Sequence, residues 1–277
     1  YHEIVNDVFR GLPITVTFCP LCNASVVFDR RVGGEMLDFG TTGKLRKSDL
    51  VMYDRQTESW WQQFTGTGIV GKYAGMRLRT VASQIVAYKE FKAAYPKGEV
   101  LSRSTGYFRR YGRNPYRGYD RVGEQPFLYL GKVDDRLPAM ERVLGVMWGD
   151  RSRVYPFSTF AEHGVINDKF AGLPLLIIHK RSVLSALDRA RIMDSRMVHS
   201  AAGFDRRVDG RELNFQLIGE RITDRETGTT WNQLGRAVAG PLKGTQLRPV
   251  DGGVHFAFAW LAFRPDSEIH KTVTTKK

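Results

Sequence analysis

Cysteine is nearly absent from this chain: Cys19 and Cys22 are the only two in 277 residues. A disulfide-stapled scaffold is therefore excluded, and an apolar core must hold the fold together. Long apolar runs are missing as well. The most apolar stretch, Leu173 to Ile178, is strand-length, far short of the roughly 18 residues a membrane-spanning helix needs. No positively charged start followed by an apolar core stands at the beginning of these residues. The signatures of several enzyme classes are lacking too. There is no Gly-x-Ser-x-Gly elbow, no His-Glu-x-x-His, no EF-hand loop and no complete P-loop signature. Acidic residues are the minority charge, 29 against 42 Lys+Arg, which leaves a formal net charge of +13. That excess favours acidic partners, yet it is spread thinly, with no lysine block except Lys276–Lys277, as on an ordinary solvated surface.

What is present is self-similarity. His2-Glu-Ile-Val-Asn-Asp7, Phe9 and Gly11-Leu-Pro13 recur as His163-Gly-Val-Ile-Asn-Asp168, Phe170 and Gly172-Leu-Pro174. Phe28-Asp-Arg-Arg-Val32 recurs as Phe204-Asp-Arg-Arg-Val208. Asp54-Arg55, Thr57 and Trp61 recur as Asp224-Arg225, Thr227 and Trp231. Gly71, Gly75, Leu78 and Arg79 recur as Gly240, Gly244, Leu247 and Arg248. Four matches in one order predict two tandem copies of one unit. The expected division is a first repeat over 1–100, an insertion over 101–142 and a second repeat over 143–277.

Alternating β-formers predict strands over Ile14–Phe18 and Ser25–Phe28, with the cysteine pair between them. Gly33-Gly34 and Asp209-Gly210 are hairpin turns. Leu50–Tyr53 and Ile69–Val70 read as further strands. Ile85, Tyr88, Phe91 and Tyr95 have helical spacing, so Gln84–Tyr95 is expected to be a helix stopped by Pro96, with Phe256–Phe263 as its counterpart. The fold class is α+β and β-rich. Val143–Trp148 and Arg153–Phe157 flank Gly149-Asp150 as a hairpin leading into the second copy. The first copy has no such hairpin, so either a partner strand or an upstream segment of a longer chain is expected to complete it.

These residues resemble a known family. His-Glu-Ile-Val-Asn-Asp, the strand ending in Cys-Pro-Leu-Cys, Leu-Val-Met-Tyr-Asp-Arg-Gln-Thr-Glu-Ser-Trp, Tyr-Gly-Arg-Asn-Pro-Tyr and Asp-Arg-Glu-Thr-Gly are similar to the bacterial and archaeal domain of unknown function 3179. The resemblance covers nearly the whole chain. It implies an exported or lipid-anchored, extracytoplasmic protein, and no activity. Arg109-Arg110 and Arg117 make this chain unusually basic for that family.

The strongest chemical constellation is His2, Cys19 and Cys22. A Cys-x-x-Cys turn places two sulfurs on one cation at about 2.3 Å each, and an imidazole supplies a third ligand. Three protein ligands and an open position suit catalytic zinc, and sulfur with imidazole also suits copper. The second copy has Lys180-Arg181-Ser182 where the pair would be, so one such centre is expected. His163 persists there without cysteines, which also fits a structural role for the His-x-x-x-Asn-Asp element. Glu3 and Asp54 are the candidate acid–base groups, Asp54 alternatively orienting the His2 ring or simply accepting N–H groups of its own turn. Arg113, Asn114, Tyr116 and Tyr119, in an Arg/Tyr-rich insertion, are candidate substrate contacts together with Trp60. The same tyrosines and Asn114-Pro115 equally suit a self-packed loop.

The leading expectation is thus an extracytoplasmic protein with a copper or zinc centre, redox or hydrolytic, acting on a small or acidic ligand. One alternative is a non-catalytic binding or assembly module with a basic surface and a structural cysteine pair. The other is a thiol–disulfide exchanger, although the β-forming Val26-Val27-Phe28 leaves little room for the helix such thiols favour. No recognised nucleic-acid module is present.

Overall fold

The computed structural model describes residues 3–271. It is β-rich, with several separate sheets and two short α-helices, Tyr88–Ala94 and Ala257–Phe263. The chain divides into two compact units that are not contiguous in sequence. Unit 1 comprises 1–83, 120–143 and 253–267; unit 2 comprises 84–119, 144–252 and 268–277. The compact units therefore cut across the 1–100, 101–142 and 143–277 division. The helix expected to close the first repeat lies in unit 2, and its counterpart lies in unit 1.

Unit 1 begins as an antiparallel meander. Ile4–Phe9 pairs with Leu12–Cys19 around an Arg10-Gly11 turn in which both residues have positive φ. Leu12–Cys19 pairs in turn with Ala24–Asp29, with Cys19 opposite Ala24, and Thr80–Val81 closes the far edge. The cysteine pair thus sits where the sequence pattern put it, in the tight turn between two strands. Gly33-Gly34 forms the expected hairpin, pairing Val32 with Glu35. A second sheet runs Phe39–Arg46, Asp49–Asp54, Trp60–Gln62, Thr67–Val70. Its first hairpin turns at Lys47-Ser48, two non-glycine residues at φ 53° and 63°.

Unit 2 has the same order of elements. His163–Phe170, Leu173–Leu184 and Met197–Asp205 form a meander. Arg207–Val208 and Arg211–Glu212 form the Asp209-Gly210 hairpin, and a sheet of Phe215–Ile218, Arg221–Asp224, Thr230–Trp231 and Ala237–Ala239 follows. Arg151–Pro156 pairs in parallel with Glu268–Ile269.

Corresponding residues make corresponding bonds in the two units. Asn6 uses its amide as a surrogate strand, donating to Phe39 O at 2.9 Å and accepting from Phe39 N at 3.1 Å. Asn167 does the same to Phe215 at 2.7 and 2.8 Å. Buried Asp29 accepts from Arg31 and Arg79, as Asp205 does from Arg207 and Arg248. Gly66 and Gly235, both at positive φ, lie against the Phe28 and Phe204 rings, where an added Cβ would come within 2.7 and 2.6 Å of ring carbon.

One expectation is corrected in detail, and one strand buries an unexpected face. The first helix is only Tyr88–Ala94, because Ala87 is extended at ψ 141° and none of the helical residues is buried. The strand Leu12–Cys19 buries Pro13, Thr15, Thr17 and Cys19 rather than its apolar Ile14, Val16 and Phe18. The interior of unit 1 is therefore polar beneath the cysteine turn.

Candidate metal centre

Cys19 ends its strand and Cys22 lies in the turn that follows, with Asn23 at φ 49° bringing the chain back. Opposite them, the Lys47-Ser48 turn delivers Asp49. One ligand atom from each of Cys19, Cys22 and Asp49 lies within 4.8 Å of the other two, and all three residues are buried. For bonds of about 2.3 Å, tetrahedral donors stand about 3.7 Å apart, so a slight contraction closes this group on a cation.

The surrounding bonds fix the donors. Both thiols point at Ser48 O, at 3.5 Å from Cys22 and 3.9 Å from Cys19. Asp49 Oδ2 accepts from Gln62 Nε2 at 2.6 Å and from Phe64 N at 2.9 Å. Arg46 donates to Gln62 Oε1 at 3.2 Å and so turns that amide nitrogen toward the carboxylate. The other carboxylate oxygen, Oδ1, is buried with no backbone or amide donor, and the carboxyl's further contacts are the Cys22 and Cys19 thiols. Burial pushes the Asp49 carboxyl up to about 7, against the pull of its Gln62 and Phe64 hydrogen bonds. Burial likewise pushes the Cys22 thiol well above its ordinary value, with Cys19 and Asp49 adding to the shift. Three acidic groups thus share an interior in which negative charge is penalised.

Polar neighbours extend the pocket. Gln63 Nε2 donates to Thr17 Oγ1 at 2.7 Å and to Ala24 O at 3.2 Å. His255 is buried, with Nδ1 unpartnered, and its ring packs 4.8 Å from Phe64 and 5.1 Å from Trp260. Burial pulls its pKa down to about 3, so the ring is neutral. The next residue donates from Phe256 N to Cys22 O at 3.0 Å.

The other candidates from the sequence fall elsewhere. His2 lies outside the described residues. Glu3 is half-buried, its carboxyl raised by burial, and its backbone oxygen accepts from Phe18 N at 2.8 Å. Asp54 braces its own turn: Oδ1 accepts from Thr57 N at 2.6 Å and Oδ2 from Trp61 Nε1 at 2.9 Å. Asp224 holds Thr227 and Trp231 at the same distances, which is the structural role weighed for this motif. Trp60 is partly exposed on a strand of unit 1.

Arg113, Asn114, Tyr116 and Tyr119 belong to unit 2, and the thiol–carboxylate group to unit 1. Asn114 is a brace, its side chain donating to Arg189 O and accepting from Tyr116 N. Arg113 and Arg117 instead line a cleft of about 440 Å³ with Arg189, Arg191 and Asp194.

A family model described as "Protein of unknown function (DUF3179)" matches residues 1–267. The chain belongs to this family. No curated protein and no solved structure matches it. Within this DUF3179 chain, no helix is long and apolar enough to cross a membrane among the described residues. Asp49, Gln62 and His255 were not singled out by sequence reasoning. The one signal for Asp49 was that Phe39–Asp54 is a longer hairpin than Phe215–Asp224.

Proposed function

We propose that this protein holds a transition-metal ion at Cys19, Cys22 and Asp49, zinc before copper. The observation that carries the reading is the burial of the Asp49 carboxyl against two thiols, with one donor atom of each residue within 4.8 Å of the other two. A carboxylate oxygen in that position is costly unless it is protonated or bound to a cation. Two thiolates and a carboxylate form a zinc donor set, whereas copper(I) favours sulfur alone. With every donor buried, a cation-holding role comes ahead of redox or hydrolytic turnover. Disulfide exchange needs a lowered thiol pKa, and burial moves Cys22 the other way. An extracytoplasmic address follows from the family resemblance, and coordination would keep the two thiols from oxidation there.

The test is metal content by mass spectrometry after zinc or copper exposure and desalting, with Cys19→Ser/Cys22→Ser and Asp49→Asn alongside. The wild type retains about one equivalent, and a chelator lowers its melting temperature. The reading fails if wild type and variants retain equal metal, or if the chelator leaves the wild type unchanged while circular dichroism shows all three folded.

The Arg113 cleft favours a second reading, an acidic binding partner. Among the described residues neither Arg113 nor Arg117 has a carboxylate partner, and guanidinium forks suit oxyanions. Earlier elution of Arg113→Ala/Arg117→Ala from immobilised heparin supports it; unchanged elution removes it.

We infer as well that the two units descend from one duplicated module. The paired brackets at Asp54/Asp224, Asn6/Asn167 and Asp29/Asp205 support it. So does the register: Cys19 faces Ala24 as Lys180 faces Ser200. Replacing 181–199 by Pro-Leu-Cys-Asn tests this shared register, and a chimera that loses the unit 2 sheets argues against it.

A further inference from the structure

Unit 2 contains a further cleft, independent of the metal reading. A cleft of about 560 Å³ opens beside the sheet that starts at Phe215, with His163 in its lining. The volume is within the range of small-molecule sites, which combine apolar walls with a few convergent polar groups. Here the wall is apolar: Trp231, locked by its Nε1 donation to Asp224, stands with Leu234 and Val238.

His163 is the unusual member. Its side chain is only 9 % exposed, and Nε2 has no hydrogen-bond partner. The nearest carboxylate oxygen, Glu220 Oε2, is 3.4 Å from Nδ1 on a side chain that is 80 % exposed, and that oxygen also lies 3.5 Å from Lys180 Nζ. Buried imidazole nitrogens are ordinarily paired, so a ring with an open Nε2 lining a cleft points to a ligand. Burial, and then the Lys180 ammonium, lower the His163 pKa, leaving a neutral ring that can donate from one nitrogen and accept at the other.

The charges around the ring set the ligand's sign. Glu90 is engaged: Ser182 Oγ donates to it at 3.2 Å, and the Gln233 amide, with its nitrogen turned inward, donates at 2.7 and 3.1 Å. Arg236 and Lys243, also in the lining, have no carboxylate partner among the described residues. With Lys180, Arg236 and Lys243 against Glu90 and Glu220, the lining carries a net positive charge. We propose that this cleft binds a small organic anion, a carboxylate on an apolar body, with Arg236 and Lys243 attracting the carboxylate, His163 hydrogen-bonding it, and Val238 and the edge of Leu234 facing the apolar part.

Benzoate is the probe and benzyl alcohol its neutral match. Imidazole proton signals of the whole protein would be followed by NMR, with His163→Gln identifying the His163 resonance. Benzoate is expected to shift that resonance saturably. Lys243→Ala, at an exposed position, should weaken benzoate binding about tenfold, the equivalent of about 1.4 kcal/mol. Benzyl alcohol should bind more weakly than benzoate. The proposal is overturned by a His163 signal that does not respond, by equal affinity of wild type and Lys243→Ala, or by benzyl alcohol binding as tightly as benzoate. Metal content plays no part in these readouts, so this site and the thiol–carboxylate centre fail or stand separately.

Discussion

The two units share their brackets and differ in what fills the space between them. In unit 2 the inward face of the central strand carries Leu176 and Ile178, part of a core with Phe204, Leu213, Phe215, Ile222 and Trp231. At the same register positions unit 1 carries Thr15 and Thr17, as the pairings to Asn6 and Asn167 show. Gln62, Gln63 and Asp49 complete a polar interior there. A buried hydroxyl or amide gives up apolar burial and must find partners, so unit 1 forgoes stability that unit 2 keeps. The difference is concentrated around the cysteine turn, where the strands of unit 2 instead run on to Leu184 and return from Met197. One framework thus carries an apolar filling in one unit and a donor-lined pocket in the other.

The sharpest way to break this comparison is to attack what the units have in common. Asp54→Ala and Asp224→Ala each leave an indole N–H and a turn without their acceptor, and each should cost about 3 kcal/mol in urea unfolding. Similar losses confirm equivalent brackets. A loss confined to one unit would show that the bracket serves different ends.

A smaller effect should come from making unit 2 resemble unit 1. Ile178→Thr places a hydroxyl in the apolar core and should cost about 2 kcal/mol. A cost near zero would mean that the contrast between the interiors has little energetic weight.

Per pH unit the smallest effect, at most about 1.4 kcal/mol, is one of pH, specific to unit 1. The Asp49 carboxyl is raised from 3.8 to about 7 by folding. A raised carboxyl binds more protons folded than unfolded, so metal-free wild type should lose stability relative to Asp49→Asn as pH rises between those values. His255, lowered from 6.5 to about 3, acts in the opposite direction, with stability lost as pH falls through that window. It is present in both proteins and cancels in the difference. Parallel pH curves for wild type and Asp49→Asn would show that Asp49 is not held in this protonated state. With metal bound the trend should reverse, because coordination displaces protons and tightens as pH rises.

Much of the scaffold was legible in the sequence. Gly33-Gly34 and Asp209-Gly210 gave their hairpins because glycine tolerates positive φ at a two-residue turn. The strands around Cys19 and Cys22 followed from β-formers on either side of Pro20. The turn that presents Asp49 was not legible, since Lys47 and Ser48 adopt positive φ without glycine. The buried face of Leu12–Cys19 is polar against its β-former pattern, and of its threonines Thr17 is satisfied by Gln63 and by Val26 O across the sheet. The helix before Pro96 came out shorter because Ile85 O instead accepts from Ser200 Oγ at 2.7 Å. His255 carries no local motif, and only tertiary packing brings it beside Phe64.

The exchanged segments bear on how the molecule is made. Ala257–Phe263 supplies unit 1 with buried Phe258, Trp260 and Leu261, yet it is translated after nearly all of unit 2. Unit 1 is therefore complete only once that late helix has emerged, after its opening 83 residues and their two thiols have been made. Contacts so distant in sequence are slow to form. During that interval the nascent thiols are open to any cation or oxidant they meet.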